Sequence, residues 1–281
     1  MYRLSNSWKM FKASLAVLAA DKELLIFPIF SSIGVLIVTA TFAIPLFLGN
    51  AFDSFYTHGM GIAGFLVLFL FYVVQYTVIF FANTALVGAA MIRLRGGDPT
   101  VGDGMSIAGR NIVPILGYAL IAATVGMLLR LVSQKSRGPG RLIVSLIGMS
   151  WTIATYLVVP ILAVEGVGPI EAIKRSMSYL RRTWGEQIAG SLGLGAIFGL
   201  AFFAILLAFV PVFYLILSAA EVNVWLLGGA GVALLLVLVI FGLVRSTLEG
   251  IYSAAVYQYA VEGQHSGFFD EDLVKNAFRT H

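Results

Sequence analysis

Six stretches of this chain, 24–52, 54–92, 111–129, 142–164, 187–220 and 222–244, each at least 18 residues long, contain no Asp, Glu, Lys or Arg. A span of ~30 Å of hydrocarbon needs about 20 mostly apolar residues at 1.5 Å each, so every stretch is long enough to cross a bilayer once. The second and fifth leave room for a tilted span with an interfacial extension, but not for two spans and a turn. Composition agrees: 11% of residues are charged and 59% hydrophobic, with a mean hydropathy of +0.94. A soluble domain carries roughly 25% charged residues, which excludes a soluble globular chain, a disordered tail and a disulfide scaffold.

The spans must be helices. Lipid offers no partner to free backbone groups, and the stretches lack the ~10-residue alternation of a membrane barrel. The expected fold is an all-α six-span membrane bundle in one domain, 1–281, with spans Leu24–Leu48, Ile62–Met91, Ile112–Leu129, Leu142–Val164, Ile188–Leu217 and Trp225–Val244. Pro28, Pro45, Pro114, Pro160 and Pro211 near span ends predict helix termination or kinking. The first 23 residues hold six charges, Arg3, Lys9, Lys12, Asp21, Lys22 and Glu23, which predicts a retained first span rather than a cleavable signal. With 0 Cys there is no disulfide, thiolate metal site or palmitoylation.

An even number of spans places both termini on one side. The segments there hold 14 Lys/Arg, against 4 in the opposite loops (Arg130, Lys135, Arg137 and Arg141). The positive-inside rule predicts cytoplasmic termini. The excess base faces lipid headgroups; no zinc-finger or basic-aromatic signature accompanies it, so nucleic acid is not an expected partner.

Between the spans lie amphipathic segments. In Gly168 to Trp184, Ile170, Ile173, Met177, Leu180 and Trp184 fall on one 3-4-3-4 stripe, with Lys174, Arg175, Arg181 and Arg182 elsewhere on the surface. This predicts a helix over 169–184 in the membrane interface, its four cations contacting anionic lipid; a helix docked on a partner is the alternative. Leu4, Trp8, Phe11, Leu15 and Leu18 form a similar stripe over 3–20. Thr100 and Asp103 form a capping pair for a helix over 100–110, and Phe269, Leu273 and Ala277 mark a fourth over 267–279. Gly96 and Gly166, Pro99 and Pro169, and Ser106 and Ser176 are each 70 residues apart. They outline parallel units 1–97, 98–166 and 167–263, unless three matches at one offset are coincidence.

Ser7-Trp8, DKELLIFP from Asp21 to Pro28, and VVPILAVEGVGPIEAIKRSM from Val158 to Met177 carry a resemblance. The chain resembles a group of uncharacterised bacterial integral-membrane proteins, a domain of unknown function. More loosely, the VPxLAVEGxGPxEAIxRS box is similar to the membrane domain preceding some glycerophosphodiester phosphodiesterases. The resemblance implies a multi-pass protein of the bacterial inner membrane and no established reaction.

Signals for chemistry are sparse. His58 lies across the membrane from His265 and His281 in the expected topology. No HExxH, P-loop or G-x-S-x-G is present, so no catalytic residue, metal or cofactor is expected. Polar groups inside spans need partners, which makes Gln75, Asn83, Arg245 and Glu249 the candidates for a cavity. Arg245 and Glu249 could equally be an ion pair at the interface; Arg110, Asn111, Glu165, Tyr252 and Tyr257 lie near enough to join them. Arg130 is expected to snorkel outward. Ser191, Gly195 and Gly199 form a small-residue row that suits close packing within the chain or between chains. The leading expectation is a small-solute permease or channel-like protein; the alternative is a non-catalytic scaffold, assembly factor or subunit of a larger membrane complex.

Overall fold

The structure is a computed structural model that describes residues 2–49, 61–136, 138–182, 186–218 and 223–262. The helix expected over 267–279 and all three histidines lie outside the described residues. The chain is helical, with no strand among the described residues. In chain order the helices are α1 (Tyr2–Ala20), a 3-10 turn (Lys22–Leu25), α2 (Ile26–Leu48), α3 (Ile62–Leu94), α4 (Val101–Arg110), α5 (Ile112–Lys135), α6 (Pro139–Ala154), α7 (Val158–Glu165), α8 (Pro169–Arg182), α9 (Glu186–Leu217) and α10 (Val224–Glu262). Six segments are long and apolar enough to cross a membrane, as expected, with α6 and α7 sharing one crossing.

Two spans are not single straight helices of bilayer length: the fourth breaks before Pro160, where kinking is expected, and the sixth runs on past Val244. The fourth span is broken at Thr155–Leu157. Pro160 has no N–H, and its ring would strike the carbonyl four residues back, so the helix cannot run straight through Tyr156. The displaced Leu157 N–H donates instead to Ser176 Oγ on α8, at 3.2 Å. The sixth helix does not stop at Val244. It is 39 residues long and continues through Arg245 to Glu262. Counting only uncharged residues ends a helix too early wherever charges sit at the membrane boundary.

Antiparallel neighbours are fixed by close contacts. Gly34 on α2 faces Val78 on α3 so tightly that a Cβ would come within 2.7 Å of Val78 Cγ1. Further along, the Phe80 and Tyr118 rings sit 4.6 Å apart between α3 and α5. Phe198 meets Phe241 at 6.0 Å between α9 and α10.

The core is gathered at one end of the bundle. Residues 84–91 of α3 are buried on every side, packed by Leu157, Val158, Ile161 and Leu162 of the fourth span and by Leu248, Ile251 and Tyr252 of α10. Met10, Ala13 and Val17 of α1 belong to the same cluster, so this end carries α1 and the C-terminal part of α10. Gly96 (φ +86°) and Gly166 (φ +60°) end the second and fourth spans in left-handed turns, the conformation glycine takes without strain.

Each turn feeds an amphipathic helix that docks on a hairpin of spans. Helix α4 packs mainly on α3 of the first hairpin, and α8 on α5, α6 and α7 of the second. Helix α1 packs on α9 and α10 of the third. The equivalence is not the 70-residue one throughout. Ser106 is exposed whereas Ser176 is fully buried, and the buried pairs are Gly104 with Ala172 and Ala108 with Ser176, each 68 apart.

Candidate functional site

The densest polar arrangement surrounds Glu165, the last residue of α7. Its side chain is 13% exposed and accepts three charge-assisted or phenolic bonds. Arg175 Nη1 donates to Oε2. The hydroxyls of Tyr179 and Tyr257 donate to Oε1 at 3.1 and 2.8 Å. Arg175 also donates from Nε to Glu171 Oε1 at 3.0 Å. Hydrogen bonds donated to the Glu165 and Glu171 carboxylates hold the Arg175 guanidinium above its ordinary range, so it stays cationic. The node ties the end of the fourth span to α8 and to the far end of α10.

A second node lies under the first hairpin. Asp21 is 5% exposed, and Arg93 Nε stands 3.5 Å from its Oδ2 while Arg93 Nη2 reaches Asp98. Burial pushes the Asp21 carboxyl up, opposed by the Arg93 charge. Nearby, the expected capping pair is present. Asp103 N–H donates to Thr100 Oγ1 at 3.2 Å, and Thr100 N–H donates back to Asp103 Oδ2 at 2.9 Å. Glu23 Oε2 accepts the next free N–H of α4, from Val101, at 3.2 Å.

The four cavity candidates do not converge. Arg245 Nε donates to Glu249 Oε1 at 2.8 Å, both side chains about half exposed (46% and 47%), with the guanidinium 5.7 Å from the Phe198 ring centre. About 32 Å of helix separates Val224 from Arg245, about one hydrocarbon thickness. Asn83 is partly buried on α3, and the Gln75 Oε1 atom is buried without a hydrogen-bond partner. A cavity of about 180 Å³ does lie between α2, α3, α4 and α5, but its walls are apolar (Phe27, Phe30, Val78, Phe81, Met105 and Ile112 among them) and none of the four reaches it. Asn111 donates to Ile107 O at 3.0 Å. Arg130, exposed at the other end of the bundle, donates to the Tyr72 hydroxyl at 2.6 Å.

The α8 stripe is rotated from the expected one. Ala172 and Ser176 are fully buried and Leu180 is 5% exposed, while Ile170 and Met177 point outward. Lys174 and Arg181 are exposed beside them, and Arg175 is turned to its carboxylates. The side chain of Arg182 lies outside the described residues. Tyr179 and Ser176 complete the polar contacts of this helix; the sequence marks Ser176 only as the counterpart of Ser106 and does not mark Tyr179, whose place one turn after Arg175 is the available signal. Among the described residues no three His, Cys, Asp or Glu side chains converge on a metal-sized site.

Residues 62–268 match a family described as Family of unknown function (DUF6159). The chain belongs to this family. No curated protein and no solved structure matches it. The match covers five of the six candidate spans, the Glu165 node and the α8 helix, so these features lie inside the family's shared region.

Proposed function

We propose that the protein is a membrane scaffold or subunit whose α9–α10 hairpin docks on helices of another chain. One observation carries this. Gly195 and Gly199, one turn apart on α9, face open space: a Cβ built on either touches no atom within 4 Å. The most apolar windows of α9 and α10 have 0% of their residues buried within the chain, and Leu200, Phe203 and Leu207 stand 52–68% exposed. A glycine facing lipid contributes no apolar area, whereas in a helix contact it allows close backbone approach. The same is true of Gly228, Gly229 and Gly231, where no atom lies within 4 Å.

The test is the mass of the full-length protein extracted in mild detergent, with and without Gly195→Ile and Gly199→Ile. A Cβ at those positions meets no described atom of the same chain, so the unfolding temperature should hold while the assembled species falls. A wild-type protein that runs as an isolated monomer, or an assembly unmoved by the substitutions, defeats the reading.

A small-solute permease is the second reading, favoured by the unpaired Gln75 Oε1 at mid-span. It requires that Gln75→Leu abolish flux into proteoliposomes loaded with the solute under test, with the folded protein recovered in normal yield.

A further inference from the structure

We infer that the outward face of α8 is a binding surface for anionic phospholipid headgroups, with Lys174 and Arg181 as the phosphate contacts and Arg175 excluded from that role. This inference does not depend on the assembly reading, which concerns a different hairpin.

The face is set by helix geometry. At about 100° per residue, Ile170, Lys174, Met177 and Arg181 fall on one line along α8, spaced 4-3-4. Ile170 is 62% and Met177 38% exposed, and Lys174 and Arg181 are exposed with no ion-pair partner among the described residues. The opposite side of the helix is committed to the protein through Ala172, Ser176 and Leu180. One helix therefore shows water or lipid a mixed row in which apolar and cationic side chains alternate.

Chain connectivity fixes where that row lies. Helix α8 starts four residues after the fourth span ends at Glu165 and is followed by the fifth span, so it lies at a bilayer boundary. At such a boundary Ile170 and Met177 enter the acyl edge, while the Lys and Arg stems extend toward headgroup phosphates. A neutral surface would satisfy the two apolar groups alone. The two unmatched cations are what select an anionic one, each favouring it about fivefold near the surface. Arg175 differs because Glu165 and Glu171 already match its charge.

The chain has 0 Cys, so a single Ser178→Cys substitution beside Met177 can carry a fluorophore without further engineering. The full chain is reconstituted in bilayers containing brominated phosphatidylglycerol or brominated phosphatidylcholine. The expected result is quenching at least about fivefold more effective with the anionic lipid, a preference removed by K174Q with R181Q and retained in R175Q. Millimolar inorganic phosphate should leave the preference in place. Equal quenching by the two lipids overturns the assignment, as does a preference that survives K174Q with R181Q. Loss of the preference on adding phosphate would assign the face to free phosphate, and a label quenched by neither lipid would assign it to a soluble partner; both overturn it.

Discussion

The Tyr257 hydroxyl donates to Glu165 Oε1 at 2.8 Å across 92 residues of sequence. This contact joins the far end of the longest helix to the break-and-turn region of the fourth span, and Tyr257 is itself 1% exposed. A buried donor to a carboxylate contributes more than a neutral pair, because the charge has few alternative partners once water is excluded.

Tyr257→Phe should therefore lower the unfolding free energy by about 1.5–3 kcal/mol, the range for hydrogen bonds to charged groups. Thermal unfolding of the purified protein in nanodiscs measures it. A change within experimental error would show that the node is ornamental to stability.

Ser176→Ala should strand the Leu157 N–H, whose ordinary helical partner is lost at the Pro160 break. The expected cost is about 1–3 kcal/mol, the penalty for a buried donor left unmade. Hydrogen exchange read at Leu157 should accelerate, while exchange in α2 and α3 away from this contact stays unchanged. Equal protection at Leu157 in both proteins would contradict the role given to Ser176.

Gly104→Ala should destabilise by about 1–3 kcal/mol through overpacking, although alanine favours a helix. A Cβ there would stand 2.5 Å from Phe27 Cζ and 2.7 Å from the backbone oxygen of Ala85, which cannot swing aside. Gly199→Ala, with nothing within 4 Å, should leave the unfolding temperature of the solitary chain unchanged or raise it. The pair of variants compared in one detergent isolates the contact from the propensity.

Two acidic side chains, Asp103 and Asp21, should respond to pH with opposite signs. Bonds from the Thr100 hydroxyl and N–H hold Asp103 below the ordinary carboxylate range. Its contribution is present above the unfolded pKa and is lost as pH falls through the lowered folded value. Asp21 is held above its ordinary value by burial, so its contribution is complete below the unfolded pKa and fades as pH rises through the folded one. Stability measured against pH should lose the part of its slope that lies below the ordinary carboxylate range in Asp103→Asn, and the part that lies above it in Asp21→Asn. Thr100→Ala, which removes the cap itself, should cost about 1 kcal/mol at neutral pH.

The crossings were legible because hydrocarbon tolerates so few alternatives to an uncharged helix. Helix orientation was not. For α8 the apolar stripe predicts one face laid in the membrane interface; Ile170 and Met177 do point outward, whereas Ile173 and Leu180 of the same stripe pack on the protein. In water an apolar stripe marks the protein side; beside a bilayer two apolar environments compete, and closeness of approach decides. Ala172 and Ser176 are small enough to seat α8 against α7, so they are the fully buried positions of that helix. The Glu165 node was half visible. Glu165 and Tyr257 stood out as polar residues beside spans, but their convergence depends on α8 folding back at Gly166 and on α10 running on past Arg245. Neither follows from hydropathy. The four intramembrane candidates share polarity without sharing a place, since polarity in a span demands a partner but does not say which.

The seating of α1 beneath α9 and α10 has a consequence for biogenesis. Met10, Ala13 and Val17 are 3%, 6% and 0% exposed in the finished protein, against helices that begin at Glu186 and Val224. Synthesis delivers the receiving surface well after α1, so α1 finds its place only once the α9–α10 hairpin has emerged. Until then its apolar side must rest on the bilayer or on a chaperone, and a ribosome stalled before the final hairpin leaves that segment without its berth.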